Sequence, residues 1–394
     1  MKKVYFLLSA CWGPVIRALP IANMLKEQGV KTYFHVSGKV AELVEKAGHE
    51  KVSPENFPQD GESTRDWWNL DQFLSCFGWS NADFVEKRFL SYVKAIQSVN
   101  PDVIIVDFNT SAMMAARCLN IPTLAITQSC FHPERKWPYI VWWKKPSTEI
   151  PSITANINTV MQKYGGQAVS RSEDLQVGTI TVIPSFPEFD PLLKVDKSTY
   201  YVGPILGNEE ITKGKDVRED FAGDNFIIVY PGRPKDAGGD SGSAILASVI
   251  PAVNELRMDT IVSLGGFNYP QFSNAQGNVF FTQWISLEQI RQKCKLIIHH
   301  GGHGTCLSAL TLGVPSLIMP TFAEREYNAR NIANLGAGIC LPFESFSKEQ
   351  AMSDISELLT NAAYAEKATR WKNEINRRHY GGASEVAKLI NSLM

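Results

Sequence analysis

Three histidines fall within five residues in the stretch of the chain best equipped for chemistry, 296–315, with the sequence LIIHHGGHGTCLSALTLGVP. Its apolar start, 296–298, is typical of a buried strand. After Thr305 the leucines recur at helical spacing until Gly313 and Pro315 end the helix. A glycine-rich turn between a strand and a helix leaves backbone N–H groups free to bind an anion, and the helix dipole favours negative charge there.

The side chains of this turn favour a phosphate over a metal ion. His300 and Thr305 can each add a hydrogen bond to a phosphate oxygen. His299 and His300 are adjacent, so an extended backbone directs them to opposite sides and they do not form a matched pair of ligands. Cys294 and Cys306 flank the histidines without a recognised zinc-binding spacing. The turn therefore predicts a phosphate site without a metal, although such a turn is a weak signal by itself.

Length and composition indicate two domains of ordinary size. The chain has 394 residues, of which 44% are hydrophobic and 20% charged, enough to build two cores. The net charge of −1 gives no electrostatic reason to expect nucleic acid as a partner. Seven scattered cysteines favour a reducing cytoplasm over a disulfide framework. The apolar run after Lys2 is too short for a signal peptide, and no segment approaches the roughly 18 apolar residues of a membrane span.

Apolar runs alternate with helical patterns in both halves of the chain, which predicts two doubly wound parallel sheets. The polar stretch 208–224 between the halves is typical of an interdomain linker. The predicted strands are 4–8, 31–36, 101–107, 121–127, 226–230, 260–264, 279–282, 296–298 and 316–319.

Polar residues follow several of these strands at the carboxyl edge, where open α/β sheets bind ligands. Asp107 ends the strand 101–107 in the N-terminal half. In the C-terminal half, Gly232 and Arg233 follow the strand 226–230, just as the histidine turn follows 296–298. We expect both C-terminal loops to face the same diphosphate, with Arg233 making a charge-assisted contact.

Tryptophans are concentrated in the N-terminal half, where six of the nine fall between residues 67 and 143. Such a concentration suits a pocket for a large, flat or hydrophobic molecule. The stretch 135–145, RKWPYIVWWKK, has three interpretations: core or pocket lining, the lip of an acceptor pocket, or an interfacial membrane patch. The candidate pocket residues are Trp12, Trp67, Trp79 and Trp142.

With these residues placed, the chain resembles the family 1 nucleotide-sugar glycosyltransferases of the GT-B fold, above all their bacterial macrolide and secondary-metabolite branch. The similarity is carried by 283–286 (QWIS), 299–339 (HHGGHGT to GAGI), 381–383 (GGA) and 201–204 (YVGP). It implies two doubly wound, Rossmann-like α/β domains that face a central cleft. The implied division is an acceptor-binding domain 1–207, a linker 208–224, a nucleotide-sugar-binding domain 225–370, and a final helix, 371–394, crossing back to the N-terminal domain.

The resemblance also implies a role for each residue of the donor site. Residues at the positions of Trp284 and Ile285 hold the nucleotide base. His300, with Gly302, Gly304 and Thr305 of the same turn, matches the residues that hold the diphosphate. A pair matching Glu324 and Arg325 reaches the sugar hydroxyls, and Asn328 lies close behind. The implied donor is a UDP-sugar or a dTDP-sugar, with no cofactor.

Two positions on the donor side depart from the family pattern. Ser308 stands where the family often has a carboxylate that grips both ribose hydroxyls, which leaves room for a deoxyribose donor such as a dTDP-sugar. Glu324 and Arg325 replace the usual Asp-Gln pair. Arg325 either pairs with an acidic sugar or forms a structural pair with Glu326.

The third departure concerns the catalytic base. The family's first strand ends in Gly-His-Val, whose histidine deprotonates the acceptor, but this chain has Pro14 at the position of that histidine. The aspartate that orients the histidine is retained as Asp107. Three explanations are open. Asp107 is itself the base, made more basic by burial, or the acceptor is a phenolate, carboxylate, amine or activated carbon that needs little deprotonation. In the third explanation the protein binds nucleotide sugar without transferring it. Other candidate bases, each with a structural role as the favoured explanation, are Glu62, Asp66, Asp71, His35 and His132.

The resemblance predicts a cytoplasmic, inverting glycosyltransferase of secondary-metabolite or antibiotic biosynthesis. It would move a sugar from a UDP- or dTDP-sugar to a hydrophobic or aromatic small-molecule acceptor. One alternative, motivated by Pro14, is a catalytically silent auxiliary protein that binds nucleotide sugar. A second is a lipid-acceptor GT-B transferase, motivated by the stretch 135–145; membrane contact is the less favoured interpretation of that stretch.

Overall fold

Two parallel β-sheets organise the chain in the computed structural model, which describes residues 1–9, 12–55, 67–137, 152–207, 225–236, 239–272, 277–285 and 293–394. This confirms the predicted architecture of two doubly wound α/β domains. No helix among the described residues is both long and apolar enough to cross a membrane.

The N-terminal sheet is parallel throughout its described strands and has the order β3-β2-β1-β4-β5-β6-β7. Its strands are β1 Lys3–Leu8, β2 Lys31–His35, β3 Glu50–Val52, β4 Val103–Asp107, β5 Thr123–Ile126, β6 Ile180–Ile183 and β7 Thr199–Tyr201. The helices are α1 Trp12–Glu27, α2 Lys39–Lys46, α3 Leu70–Ser75, α4 Ala82–Val99, α5 Thr110–Cys118 and α6 Thr154–Lys163.

Helices cover both faces of this sheet, which explains why its strands are apolar at almost every position. Successive side chains of a strand point to opposite faces. In β1, Val4 and Phe6 pack with α1 and α2 on one face, whereas Tyr5 and Leu7 pack with α3 to α6 on the other. All four of these side chains are fully buried.

The C-terminal sheet is also parallel and has the order β12-β11-β8-β13-β14-β15. Its strands are β8 Phe226–Tyr230, β11 Thr260–Ser263, β12 Val279–Thr282, β13 Cys294–His299, β14 Ser316–Ile318 and β15 Gly338–Cys340, and the strands β9 Lys235–Asp236 and β10 Gly239–Asp240 form a separate hairpin. The helices are α7 Gly242–Glu255, α8 His303–Leu312, α9 Ala323–Asn334, α10 Lys348–Thr360, α11 Ala362–Arg377 and α12 Ala383–Leu393.

The last helix, α12, returns to the N-terminal sheet. Its buried residues Val386 and Ile390 share a hydrophobic cluster with Leu25 of α1. The Asn391 side chain also donates a hydrogen bond to the Gln28 side chain at 2.7 Å. The boundary predicted at residue 370 falls inside α11, and the predicted linker 208–224 lies outside the described residues.

Two stretches differ from the elements expected from sequence. The strand β7 Thr199–Tyr201 was not among the predicted strands, and it extends the sheet because it pairs in parallel with β6. The helix after the predicted strand 316–319 begins at Ala323, after Phe322 in an extended conformation. Glu324 and Arg325 therefore lie in the first turn of α9.

Candidate functional site

Each sheet has one point where the strand order reverses, and the predicted site residues fall at both points. The reversals lie between β1 and β4 and between β8 and β13. Asp107 ends β4, where it is paired with Leu8 of β1. Gly232 follows β8 and His300 follows β13, whose last residue is paired with Tyr230. Ligands of open α/β sheets bind outside the carboxyl ends of the strands at such points.

The His300 ring sits between two glycines that leave room for it. A Cβ atom on Gly232 would lie 2.9 Å from His300 Nδ1, and one on Gly302 would lie 2.7 Å from Nε2. Gly232 also has a φ of +81°, in the left-handed region that favours glycine. The structure thus brings the loop after β8 and the turn after β13 together around one imidazole.

The N-terminus of α8 is open toward solvent beside this imidazole. No side chain caps the helix, whose N-cap residue is Gly302. Gly304 is exposed, a Cβ atom there would have nothing within 4 Å, and Thr305 is half-buried. The first backbone N–H groups of a helix have no partner within it, so this end can bind an anion.

Positive charge surrounds the imidazole. Burial, followed by the positive charge of Arg325, lowers the pKa of His300 well below its ordinary value, and Arg233 acts in the same direction. The free ring is therefore neutral at pH 7. The guanidinium of Arg325 lies 4.2 Å from the centre of the Phe322 ring and donates to Thr321 Oγ1 at 2.6 Å. One of the two alternatives for Arg325 was an ion pair with Glu326. In the structure Glu326 instead pairs with Arg330, one turn further along α9.

Asn328 joins the glycine-rich turn to α9. Its Nδ2 donates to the Gly301 carbonyl at 3.0 Å and to Glu324 Oε1 at 2.8 Å. A Cβ atom on Gly301 would lie 2.8 Å from the Arg325 carbonyl oxygen, so only glycine allows this approach. Burial raises the pKa of Glu324, and Arg325 and Asn328 partly oppose the shift. In this geometry Asn328 positions the turn and the carboxylate.

Trp284, the predicted base-binding residue, contacts a tryptophan of the other domain. Its ring lies against Gly266, where a Cβ atom would be 3.0 Å away. The Trp12 ring at the start of α1 lies 5.8 Å from it, centre to centre. Trp12, which was predicted to line the acceptor pocket, thus contacts the residue that was predicted to hold the nucleotide base. Ile285 packs against the core cluster formed by β8 and β13.

The other tryptophans predicted to line an acceptor pocket need correction. Trp67 and Trp79 are only 1% and 4% exposed and belong to the hydrophobic core. Trp67 is enclosed by aromatic rings, with Phe73 at 4.8 Å and Phe322 of α9 at 6.1 Å. Burial of such large apolar surfaces is favourable, so these two residues stabilise the core of the N-terminal domain. Trp142 lies outside the described residues.

Asp107 is occupied by an ion pair that the sequence did not predict. Arg17 of α1 donates to Asp107 Oδ2 from Nε at 3.1 Å and from Nη2 at 2.6 Å. The two side chains are 11% and 4% exposed. Arg17 lies one helical turn after Pro14. The carboxylate that was a candidate base from the sequence thus already accepts two charge-assisted hydrogen bonds from a guanidinium.

The alternative bases that lie among the described residues are held in structural hydrogen bonds. Burial lowers the pKa of His35 and of His132 to about 4 in each case. Glu62 and Asp66 lie outside the described residues. The observed partners are the Tyr5 hydroxyl for His35, the Glu134 backbone N–H for His132, and the Ser172 hydroxyl and Ile153 N–H for Asp71.

A buried polar network, here called the interdomain clasp, connects the two domains and consists of Ser129, Asp190, His303 and Tyr327. His303 Nε2 donates to Asp190 Oδ2 at 2.7 Å, and these side chains are 3% and 1% exposed. Ser129 donates to Asp190 Oδ1 from its N at 3.0 Å and Oγ at 2.8 Å, and shares a 2.8 Å bond with the Tyr327 hydroxyl. Sequence reasoning missed the clasp, because only the third histidine of the turn hinted at a further role.

The charge state of the clasp follows from its contacts. Burial by itself raises the pKa of Asp190, but the positive charge of His303 and the hydrogen bonds from His303 and Ser129 lower it below its ordinary value. Asp190 is therefore a carboxylate at pH 7. No group of three His, Cys, Asp or Glu side chains that could hold a metal ion occurs in the described part of the chain.

Comparison with known proteins shows which sequences this chain is similar to. Residues 247–393 match the family described as erythromycin biosynthesis protein CIII-like, C-terminal domain. The PGL/p-HBAD biosynthesis glycosyltransferase of Mycobacterium tuberculosis (strain ATCC 25177 / H37Ra) is 23% identical over 309 residues, covering 74% of this chain and 70% of that protein. The 10-deoxymethynolide desosaminyltransferase of Streptomyces venezuelae is 24% identical over 226 residues, covering 54% and 49%.

Solved structures share the fold over the whole chain. The calicheamicin glycosyltransferase CalG4 superposes with a TM-score of 0.72 at 17% identity, covering 100% of this chain and 98% of its own. The spinosyn rhamnosyltransferase SpnG superposes with a TM-score of 0.70 at 18% identity, covering 100% and 99%. The chain therefore has the GT-B fold, and its sequence is similar to that of nucleotide-sugar-dependent glycosyltransferases of family 1.

Proposed function

We propose that the protein is an inverting glycosyltransferase that moves a sugar from a dTDP- or UDP-sugar to a hydrophobic or aromatic small-molecule acceptor. The observation that best supports binding of a nucleotide-sugar donor is the position of the His300 ring. This ring lies between Gly232 and Gly302, beside the open N-terminus of α8. The acceptor oxygen attacks the anomeric carbon from the face opposite the diphosphate, and the bond to the diphosphate breaks. Free N–H groups of α8 and the charges of Arg233 and Arg325 stabilise the departing diphosphate.

The donor side favours dTDP. Ser308 is a short side chain whose hydroxyl donates to the Gly304 carbonyl at 2.9 Å, so it presents no carboxylate to a pair of ribose hydroxyls. Two structural neighbours are described in complex with this nucleotide, VinC with dTDP and SpnG with thymidine diphosphate. The proposal needs no resident metal or cofactor, because cationic side chains and a helix N-terminus already meet the diphosphate charge.

The remaining donor and acceptor roles complete the proposal. Trp284 stacks on the base, with Trp12 covering it from the N-terminal domain. Glu324 and Arg325 contact the sugar, and Asn328 holds them in place. The acceptor lies at the N-terminal point of strand reversal beside Asp107. A neighbour, SpnG, is described with a spinosyn aglycone, which supports a hydrophobic acceptor in a related cleft.

A single alanine tests the donor site. Gly304→Ala should leave the free protein at least as stable, because alanine is favoured over glycine in a helix by about 1 kcal/mol and its Cβ meets nothing within 4 Å. The same Cβ would intrude on a diphosphate over α8. We therefore expect dTDP to raise the melting temperature of the wild type by mass action and to lose this effect in Gly304→Ala.

The control is Ser353→Ala, an exposed change to alanine in α10, which should keep the full dTDP response. A wild type whose melting temperature responds to neither dTDP nor UDP would contradict the proposal. So would a Gly304→Ala variant that binds dTDP as the wild type does.

Two other functions remain as alternatives. The auxiliary protein is motivated by Pro14; it would bind dTDP but release none from a dTDP-sugar, whereas a transferase should hydrolyse donor slowly and lose this activity in His300→Ala. The lipid-acceptor transferase is motivated by the stretch 135–145, of which 138–145 lies outside the described residues. Co-sedimentation with liposomes that persists at high salt would favour it.

A further inference from the structure

Arg17 and Asp107 form a buried ion pair at the strand reversal of the N-terminal sheet, where the acceptor is proposed to bind. Both hydrogen bonds converge on one carboxylate oxygen, Asp107 Oδ2. Within the described part of the chain, the guanidinium makes its hydrogen bonds to Asp107 alone. A guanidinium carries further N–H groups in a rigid fork, so one carboxylate can fix it while other donors bind a second anion.

The described groups at this edge offer positive charge but no suitable base. Arginine does not deprotonate in proteins, and Asp107 Oδ2 already accepts two charge-assisted bonds. His35, at the end of β2, shares a bond with Tyr5, and burial lowers its pKa to about 4, which makes it a weak base. The side chain of Asn109, which follows β4, donates hydrogen bonds to the Leu8 carbonyl and to the Tyr92 hydroxyl.

The residue after Asp107 is an aromatic one, Phe108, which packs with other aromatic rings. Phe108 follows Asp107 with a φ of +50°, an unfavourable backbone for a bulky side chain. This conformation brings its ring to 4.4 Å from Phe131 and 5.6 Å from Phe73. Strain of this kind at a ligand edge points to a role for the ring in binding.

We propose that Arg17 binds the acceptor and that the acceptor is an aromatic acid whose nucleophilic oxygen is already ionised, a carboxylate or an acidic phenolate. This inference rests on the proposed function and adds the acceptor class to it. An oxygen lone pair forms the bond to the anomeric carbon, and the electron pair of the breaking bond leaves with the nucleoside diphosphate. No proton moves in this step, so the site needs no base. Asp107 is a positioning residue that fixes the guanidinium.

The wild-type protein gives the first test. Its acceptors are matched pairs, 2-naphthoate with 2-naphthalenemethanol, together with phenols of graded acidity. We expect the neutral alcohol to react at least about 100-fold more slowly, the lower end of what a general base contributes. The apparent pKa of kcat/KM should follow the ionisation of each phenol. Equal rates for acid and alcohol, or one apparent pKa common to all phenols, would overturn the proposal.

Substitutions give the second test. Arg17→Gln should raise the acceptor KM about 10- to 100-fold, as expected for a lost charge-assisted bond, with the dTDP-induced thermal shift unchanged. Asp107→Asn should keep transfer to ionised acceptors, because the amide oxygen of asparagine still accepts a hydrogen bond from the guanidinium. Loss of all transfer in Asp107→Asn with Arg17→Gln still active would identify Asp107 as the base and refute the proposal.

Two further variants separate these effects from folding. The double variant Arg17→Gln with Asp107→Asn removes both charges together, so no buried charge is left unpaired, and it should show the acceptor KM of Arg17→Gln. An unaltered KM in it would refute the role of Arg17. Arg377→Gln, in an exposed pair with Glu374, is the control that leaves KM unchanged. Failure of the proposed function itself would appear separately, as a wild type without a dTDP response.

Discussion

Asp190→Asn tests whether the interdomain clasp holds the two domains together. The Asp190 carboxylate accepts a bond from His303 Nε2 at 2.7 Å and two from Ser129 at 3.0 and 2.8 Å, all in the interior. Asparagine has nearly the same shape but no charge, and one of its two positions becomes a donor. The change removes the charged acceptor of this buried network, and hydrogen bonds to charged groups contribute about 1.5–3 kcal/mol.

This cost translates into a large change in melting temperature. For domains of about 150–250 residues, each kcal/mol shifts the melting temperature by about 2–4 °C, so Asp190→Asn should lower it by about 3–12 °C. Differential scanning calorimetry of the free proteins at pH 7 measures the change. Lys94→Met, which breaks the exposed pair with Glu55, is the control and should leave the melting temperature unaltered within error.

The contribution of Asp190 to stability should change with pH in a direction that its pKa determines. The folded-state pKa of Asp190 is lowered below its ordinary value. Its contribution is therefore complete above the unfolded pKa of about 3.9 and is lost as the pH falls through the folded value. The wild type should lose more stability than Asp190→Asn below pH 4. A decrease of less than about 2 °C at pH 7, or parallel pH dependence of the two proteins below pH 4, would refute the reasoning.

Three further substitutions probe the core and the donor site. Trp67→Ala should lower the free energy of unfolding by about 3–5 kcal/mol in denaturant titrations, as for other buried aromatics, and a loss under about 1 kcal/mol would mean that Trp67 lines an open pocket. Burial raises the pKa of Glu326 to about 8, so its contribution to stability falls as the pH rises from about 4.3 to 8. Thermal melts should therefore favour Glu326→Gln increasingly between pH 5 and 9, and a constant difference would contradict this. The free His300 ring is neutral, and a bound diphosphate favours its protonated form. Calorimetric titration with dTDP in buffers of different ionisation enthalpy should detect proton uptake that His300→Ala abolishes, and equal uptake in both proteins would exclude His300.

The parallel sheets were predictable because local sequence encodes them. A strand covered by helices on both faces must be apolar at nearly every position, and runs such as 4–8 and 226–230 have no other simple explanation. The turn 299–305 was predictable for a similar reason, since only glycines allow the approach to His300 and Arg325 that the structure contains. Its position at the carboxyl edge of the sheet followed from the alternation of strands and helices, without any knowledge of side-chain contacts.

The ion pairs were beyond sequence reasoning because their partners are distant in the chain. Arg17 and Asp107 are 90 residues apart, and neither has a local pattern that distinguishes it from a solvated charge. Asp190 and His303 are separated by 113 residues and meet only when the two domains dock. The tryptophans were misjudged for a related reason. Composition shows that aromatic surface is present, but only packing decides whether a ring such as Trp67 faces a cavity or fills the core.

The clasp and the donor site share a helix, which has a consequence for how substrate binding is coupled to domain position. His303 is the first residue of α8, the helix whose N-terminus is proposed to hold the diphosphate. Its side chain is anchored to Asp190 of the N-terminal domain, while its neighbour Gly304 faces the open site. A rotation between the domains would stretch the bond to Asp190 or displace the helix start. Because both costs fall on the same residue, a diphosphate that fixes α8 would also favour the docked arrangement of the two domains.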